Sequence, residues 1–192
     1  TKDAFPEVEA FTRILSDQVL VRKGDVKFQQ DNAVWADTAL FDIFDFKMVK
    51  GNPKTALRDQ LSVVFTESTA KKYFGDEDPI GKMLQVSSDT DLYQVTGLIK
   101  DCPTNSQITF DFLASFSSLG VPKDAESTYW DANYVTYFLL KNEASITGLQ
   151  AKLPGFMKKE MAGQGATINM FLEPFDKIHL HSAYDAFEPN NS

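Results

Sequence analysis

The sequence is poor in the side chains that usually build catalytic or metal centres. It contains one cysteine, Cys102, and two histidines among 192 residues. One cysteine excludes an internal disulfide, and a chain of this length can bury enough apolar surface to fold without one. The sequence also lacks the Gly-x4-Gly-Lys-Ser/Thr loop, the nucleophile elbow and the dinucleotide-binding glycine turn. We therefore expect a non-enzyme without a cofactor, in which Cys102 is an inert neighbour of Pro103.

Positive charge is also scarce, with 19 Lys and Arg against 27 Asp and Glu and a net charge of −8. This balance disfavours a nucleic-acid backbone or an anionic membrane surface as the main partner. No apolar run reaches the roughly 20 residues needed to span a bilayer, and no signal peptide is visible. Because the chain starts at Thr1 rather than Met, we expect a fragment of a longer protein.

Two groups of residues could be considered as metal ligands, and neither meets the requirements. Asp76, Glu77 and Asp78 are consecutive, so their side chains diverge, and a solvated turn is expected. His179 and His181 share one face if they lie on a strand, a spacing that can chelate zinc. No third ligand follows at a matching spacing, so we expect a structural or solvent-facing role and no metal.

The first third of the chain mixes helical and extended patterns. The spacing of Val8, Phe11 and Leu15 predicts a short amphipathic helix that ends at Ser16. The turn residues Lys23-Gly24-Asp25 then predict a β-hairpin. The elements expected next are an extended piece, a short helix capped by Asp37, a strand and another short helix: Val34–Ala36, a helix containing Leu40, Phe41 and Phe44, Phe46–Val49 and Pro53–Leu57.

The stretch from Leu61 to Asp101 has the clearest local signals. An apolar strand, Leu61–Phe65, precedes a helix that Thr66 can cap and Gly75 can end. The acidic turn and Pro79-Ile80-Gly81-Lys82 follow, since proline and glycine favour chain reversal. The alternation beyond them predicts a second hairpin, formed by Met83–Val86 and Leu92–Ile99.

The last part of the chain predicts strands around one helix and a polar excursion. The expected elements are a strand at Ile108–Phe116, the excursion Ser117–Ala132, a strand at Tyr134–Leu140, a helix from Ser145 that Pro154 interrupts, and final strands at Thr167–Phe175 and Lys177–Leu180. Most aromatic residues fit a core. Tyr129 and Trp130 lie in the polar excursion, so an exposed contact with a partner or an apolar ligand is the minority interpretation.

The order of these motifs resembles one protein family. Ala70-Lys71-Lys72-Tyr73-Phe74-Gly75, then Asp78-Pro79-Ile80-Gly81-Lys82, then Tyr93-Gln94-Val95-Thr96-Gly97 is similar to the MacB-like periplasmic core domain of FtsX-type ABC transporter permeases. The opening Phe5-Pro6-Glu7-Val8-Glu9 and the late Ile178-His179-Leu180-His181-Ser182 extend the likeness over nearly the whole chain. The combination most resembles permeases of Bacteroidetes-type bacteria.

The resemblance implies an α+β fold of two lobes. A porter-like α/β lobe would comprise residues 1–60 and 105–192, and a β-rich, sabre-like lobe would comprise residues 61–104. In that family the motif residues set lobe geometry, which implies a structural role here for Phe74, Gly75, Pro79, Gly81 and Gly97. No residue is implied to be catalytic, and no cofactor or metal is implied.

The resemblance also implies a function and a location. The chain would be the periplasmic part of an integral inner-membrane permease that transmits ATP-driven conformational change to the export or release of a substrate. The implied partners are a cytoplasmic ABC ATPase, a second permease copy and a periplasmic adaptor or lipoprotein, with the isolated domain monomeric. Efflux, lipoprotein extraction and signalling stay open. The alternative is a soluble periplasmic module that binds a peptide or hydrophobic ligand through Tyr129 and Trp130.

Overall fold

The structure, a computed structural model, describes residues 4–87, 91–121, 134–143, 145–162 and 169–181. These residues form an α+β fold with a large mixed sheet, as predicted. The strands are β1 (Val8–Lys23), β2 (Val26–Ala36), β3 (Met48–Gly51), β4 (Ser62–Thr66), β5 (Met83–Val86), β6 (Leu92–Ile99), β7 (Phe112–Ser115) and β8 (Val135–Leu140). The helices are α1 (Leu40–Ile43), α2 (Glu67–Phe74), α3 (Ser145–Glu160), α4 (Phe175–His181) and a 3-10 helix, Phe116–Leu119.

Six of the strands form a closed circuit of hydrogen-bonded pairs. β1 pairs antiparallel with β2, β2 parallel with β7, β7 antiparallel with β4, β4 parallel with β6, β6 antiparallel with β5, and β5 antiparallel with β1. β3 adds to β6 and β8 adds to β1. Each strand of the circuit therefore has a partner on both sides, which removes the exposed backbone edge that open sheets present.

The interior of the circuit is an aromatic and aliphatic core. Alternate residues of the six strands point into it, and α2 adds Ala70, Tyr73 and Phe74. The Phe65 and Phe112 rings meet edge to face with centroids 5.7 Å apart, and Trp35 lies 6.0 Å from Phe112. Full burial of each such side chain contributes about 1.5–3 kcal/mol, so this core is the main source of stability.

The outer face of the circuit is covered on the side of β4 and β7. The Thr96 hydroxyl donates a hydrogen bond to the carbonyl oxygen of Ala56 at 2.7 Å, and the Ser115 hydroxyl donates to that of Leu57 at 2.9 Å. These bonds hold the segment between β3 and β4 against the sheet, and Leu57 and Leu40 are fully buried. β4 is consequently buried on both faces.

The chain divides into two compact units. The larger contains residues 10–121 and 133–138, and the smaller contains residues 1–9, 122–132 and 139–192. Residues 61–104 lie in the larger unit together with residues 10–60, and the division into two lobes stays a prediction. In the smaller unit, Phe5 packs edge to face on Phe156 of α3 with ring centroids 5.0 Å apart.

Both hairpins and α2 confirm the sequence predictions, whereas the predicted opening helix is wrong. Residues 8–23 form β1, which buries residues on both faces. Leu15, Val19 and Val21 face the core of the circuit, whereas Thr12 and Ile14 are buried on the other face. Burial on both faces removes the alternation of apolar and polar residues that identifies a strand.

The predicted final strands are also wrong within the described residues. Residues 169–174 belong to no element, and Phe175–His181 is the helix α4, which begins after Pro174. Proline suits a helix start because its fixed backbone angle is helical and the first turn needs no N–H. Residues 53–57 form turns instead of the predicted helix, and the strand predicted at Ile108–Phe116 is confined to β7. No described helix has the length and hydropathy of a membrane span.

Gly97 in β6 marks a close approach between neighbouring strands. A Cβ atom there would lie 3.0 Å from Val64 Cγ2 and 3.1 Å from Met48 Sδ. On the facing strand β3, a Cβ at Gly51 would lie 2.5 Å from the carbonyl oxygen of Thr96, and Gly51 has φ +93°. Both positions therefore need glycine so that β3 and β4 can pack on β6.

Arg13 joins β1 to the chain that follows β2. Its Nε and Nη2 donate to the Asp37 carboxylate at 3.0 and 2.8 Å, and its backbone N–H donates to the same group at 2.8 Å. The guanidinium lies 4.0 Å from the centroid of the Phe116 ring and 5.8 Å from that of Tyr134. The predicted capping role of Asp37 is wrong, because α1 has Ala39 at its N-cap and no side-chain cap bond.

We predict that Gly97→Ala destabilises the domain by about 1–3 kcal/mol, because the added methyl group overpacks the contact with Val64 and Met48. Urea unfolding followed by circular dichroism measures the change. The matched control is Gly155→Ala in α3, where a Cβ meets nothing within 4 Å. Alanine favours a helix interior, so this control should be neutral or more stable. Equal stability of the two variants would contradict the packing argument.

We predict that Arg13→Lys lowers the free energy of unfolding by about 1–3 kcal/mol, since lysine keeps the charge but cannot make the two-pronged bond or stack on Phe116. The same urea assay measures it. Arg58→Lys serves as the control because Arg58 is exposed. A loss no greater than that of the control would show that charge alone accounts for the contribution of Arg13.

Candidate functional site

The motif region of the larger unit begins with α2, which is fixed at both ends. The Thr66 hydroxyl accepts a hydrogen bond from the N–H of Thr69 at 3.4 Å, as the sequence predicts for an N-cap. At the other end, Gly75 has φ +59° and its N–H donates to the carbonyl oxygen of Lys71 at 2.9 Å. Positive φ is the reason that glycine ends this helix.

The last turn of α2 is held against β1 and β2 by Tyr73 and Phe74. The Gln30 side chain donates to the Tyr73 hydroxyl, and Lys23 Nζ donates to the Tyr73 carbonyl oxygen at 2.9 Å. The same ammonium lies 4.4 Å from the centroid of the Phe74 ring, a cation–π contact. Burial raises the pKa of the Tyr73 phenol, so the hydroxyl stays protonated.

The turn between α2 and β5 is fixed by backbone hydrogen bonds to β6. The Gly81 N–H donates to the carbonyl oxygen of Val95 at 2.7 Å, and the Val95 N–H donates to that of Lys82 at 2.9 Å. The Lys82 N–H donates to the carbonyl oxygen of Pro79 at 3.0 Å, which closes the turn. Gly81 has φ +78°, and this conformation explains glycine at its position.

The acidic residues of the same turn form ion pairs. Lys50 Nζ lies 2.9 Å from Asp78, and Lys82 Nζ lies 3.2 Å from Glu77. The hydrogen bond from Lys82, with the charges of Lys82 and Lys23, lowers the pKa of Glu77. The hydrogen bonds from Lys50 and the Ile80 N–H lower the pKa of Asp78. Asp78 therefore connects the turn to β3, and the pair of Glu77 with Lys82 spans the turn itself.

The structure brings most of the predicted motif residues together as a scaffold. Phe74, Gly75, Pro79 and Gly81 surround one turn, and Gly97 lies further along β6 at the crossing with β3. Their contacts are packing, backbone hydrogen bonds and the cation–π contact of Phe74, which hold elements in place and supply no nucleophile or general base. Their role in lobe geometry stays a prediction.

The other candidate residues add no chemical site in the part of the chain that can be described. Tyr129 and Trp130 lie outside the described residues. His179 and His181 belong to the helix α4, so the strand on which they were predicted to share a face is not present. No group of three metal-ligating side chains occurs among the described residues. Burial raises the pKa of the Cys102 thiol, which disfavours the reactive thiolate.

Sequence reasoning missed Arg13 as an organising residue. Its partner Asp37 is 24 positions away, and Phe116 and Tyr134 are farther still. The only local signal is a charged residue in an apolar strand, which on its own indicates a surface position. The pairing depends on the β1–β2 register, which places Ile14 opposite Ala36.

We predict that Lys50→Met raises the pKa of Asp78 toward its ordinary value, because the variant removes the hydrogen bond from Lys50. In the native chain the lowered pKa stabilises the fold above the ordinary aspartate pKa, and this stabilisation is lost as the pH falls through the folded value. Side-chain carboxyl NMR shifts followed through a pH titration measure the change. The control is Lys47→Met, which removes the same charge from an exposed neighbouring position. An unchanged Asp78 titration in the Lys50 variant would contradict the ion pair.

Comparison with solved structures identifies the fold. The chain is similar to a domain of a protein assigned as a permease from Porphyromonas gingivalis, with 24% identity, a TM-score of 0.69, and coverage of 84% of this chain and 69% of that one. It is also similar to the periplasmic region of MacB from Actinobacillus actinomycetemcomitans, with 17% identity, a TM-score of 0.58, and coverage of 80% and 67%.

A third similar structure is the extracellular domain of the noncanonic ABC-type transporter YknZ from Gram-positive bacteria. The identity is 14%, the TM-score is 0.58, and the alignment covers 85% of this chain and 79% of that chain. No curated protein matches the chain. The sequence profile described as MacB-like periplasmic core domain matches residues 1–155, which confirms the resemblance seen in the motifs. The chain belongs to the family of MacB-like periplasmic core domains.

Proposed function

We propose that this chain is the extracytoplasmic domain of an ABC transporter permease and that it transmits ATP-driven conformational change without catalysing a reaction. In this role it couples nucleotide-driven movement to the export or release of a substrate outside the inner membrane. Family membership supports the periplasmic setting. The closed strand circuit supports the mechanical role.

The observation that carries the proposal is the bracing of the larger unit. Each strand of the circuit is hydrogen-bonded on both sides, and one continuous core fills it. A displacement applied to one strand is therefore shared by its neighbours, since close-packed interiors deform little. A domain that transmits movement needs this stiffness, whereas an enzyme needs a cleft with convergent polar groups.

The smaller unit supports the same role because it unites the early and late parts of the chain. The Lys141 N–H donates to the carbonyl oxygen of Glu7 at 3.1 Å, and the Glu7 carboxylate pairs with Lys152 of α3. The hydrogen bond from Lys152 lowers the pKa of Glu7. Movement at residues 5–7 is consequently passed directly to α3.

The proposal includes partners and a membrane attachment. A cytoplasmic ATPase would supply the energy, a second permease copy would supply the opposing domain, and a periplasmic adaptor or lipoprotein would receive the substrate or the movement. The parent chain would be anchored in the inner membrane. The lobe division at residues 1–60 with 105–192 and at residues 61–104 also belongs to this proposal.

The alternative function, a soluble module that binds a peptide or hydrophobic ligand, depends on Tyr129 and Trp130. Both residues lie outside the described residues, so no contact in the structure favours it. Ligand-induced protection of these two side chains in the isolated domain would support it.

We predict that ATP changes the distance between the copies of this domain in the two permease subunits, while the larger unit within each copy keeps its shape. The experiment uses the full permease with its ATPase, in a Cys102→Ser background. A spin label at Asp17→Cys in both copies reports the distance between domains. Labels at Asp17→Cys and Lys47→Cys in one copy, paired with an unlabelled copy, report the distance within the larger unit. Asp17 and Lys47 are exposed.

Electron–electron distance measurements with and without trapped ATP should show a shift for the first pair and none for the second. An unchanged distance between the labels on the two copies would contradict mechanical transmission. The absence of a measurable dipolar coupling between these labels would contradict it as well. A change within the larger unit would contradict its stiffness and indicate that it deforms on nucleotide binding.

A further inference from the structure

One half of the outer face of the strand circuit is not covered by the described residues, since Lys27, Met83 and Leu92 are exposed there. The register aligns Lys27 of β2 with Arg22 of β1, Arg22 with Gln85 of β5, and Gln85 with Leu92 of β6. The neighbours Val21, Leu84, Val86 and Tyr93 point into the core, so Arg22, Gln85 and Leu92 lie on the outer face, and the pairing with Arg22 places Lys27 beside them. We call this set the outer row.

The two cations of the outer row have no carboxylate partner among the described residues. Arg22 and Lys27 take part in none of the ion pairs there, and the Nε atom of Arg22 is buried without a hydrogen-bond acceptor. Like charges directly opposite each other on paired strands are destabilising. Arg22 and Lys27 are therefore an unfavourable pair in a chain whose net charge is −8.

Apolar side chains lie at the other end of the same surface. Leu92 is 51% exposed, and Met83, which precedes Gln85 by two residues on β5, is 45% exposed. The opposite side of the circuit, by contrast, is covered by the segment that contains Leu57. The uncovered half thus presents two unpaired cations beside two exposed apolar residues.

We propose that the outer row is a docking surface for a protein partner that presents carboxylates to Arg22 and Lys27 and an apolar side chain to Leu92 and Met83. Charge complementarity with an acidic segment would satisfy the unpaired cations and remove the repulsion between them. The apolar end would supply buried area. This surface plays no part in the transport proposal, so either proposal can fail alone.

Two other occupants fit less well. In a symmetric contact with a second copy, the outer row of one copy would face the outer row of the other, and four cations would come together. An anionic bilayer would attract Arg22 and Lys27, but it would repel a chain of net charge −8 and would gain little from Leu92 and Met83 on a flat sheet face.

The test uses a capped peptide of alternating glutamate and leucine as the probe, added at low salt to the isotope-labelled chain. Amide shift changes should be confined to the outer row and Met83, and they should shrink at high salt because exposed charges are screened. Lys27→Glu should weaken binding by about tenfold or more, a loss of about 1.4 kcal/mol per tenfold. The control Lys158→Glu makes the same charge change on an exposed residue of α3 and should leave the affinity unchanged.

The stability of Lys27→Glu separates a binding role from a structural one. The variant places opposite charges across the β1–β2 pair, so its melting temperature should equal or exceed that of the native chain. A lower melting temperature would indicate that Lys27 serves the fold, and this would overturn the proposal. The proposal would also be overturned if a peptide of alternating glutamine and leucine bound as tightly as the glutamate peptide. Amide shift changes at residues away from the outer row would overturn it too. Binding to phosphatidylglycerol vesicles without binding to the peptide would replace the protein partner with a lipid surface.

Discussion

The closure between β1 and β5 is the constraint on which the larger unit depends. It consists of Val21 paired with Val86 and Arg22 paired with Gln85. Just beyond it, the Ser87 N–H donates to the carbonyl oxygen of Leu20 at 2.7 Å. Ser87 adopts φ +63° to make this bond, a conformation that costs a non-glycine residue about 1–2 kcal/mol. Without the closure, β1 and β5 would each present an open edge and the core would be exposed between them.

Local signals predicted the elements whose geometry is local. The β1–β2 turn needs positive φ at Gly24, and α2 needs a hydroxyl side chain before it and glycine after it. The second hairpin needs alternation of apolar and polar residues. All three signals can be read in the sequence. The α+β class followed from the resemblance to the family. The family likeness supplied what the local patterns could not, namely that they belong to one known domain.

The rest depended on pairing between distant residues. Apolar residues lie on both faces of β1, so Val8, Phe11 and Leu15 recur at a helical spacing although the segment is extended. The outer row could not be predicted either, because it exists only when the β1–β5 register is known. The alternating pattern at the chain end also failed, since Pro174 favours a helix start there and no described neighbouring strand pairs with residues 175–181.

The central position of β7 has a consequence for how the chain acquires its fold. β7 joins β2 to β4, and it pairs Phe112 with Ala33 and with Phe65. The circuit therefore cannot close until the chain is available as far as Ser115, and contacts over such long separations form slowly. During synthesis, the earlier strands must wait, partly unpaired, for β7 to emerge. The interval before its emergence is when this domain would most need protection from a chaperone.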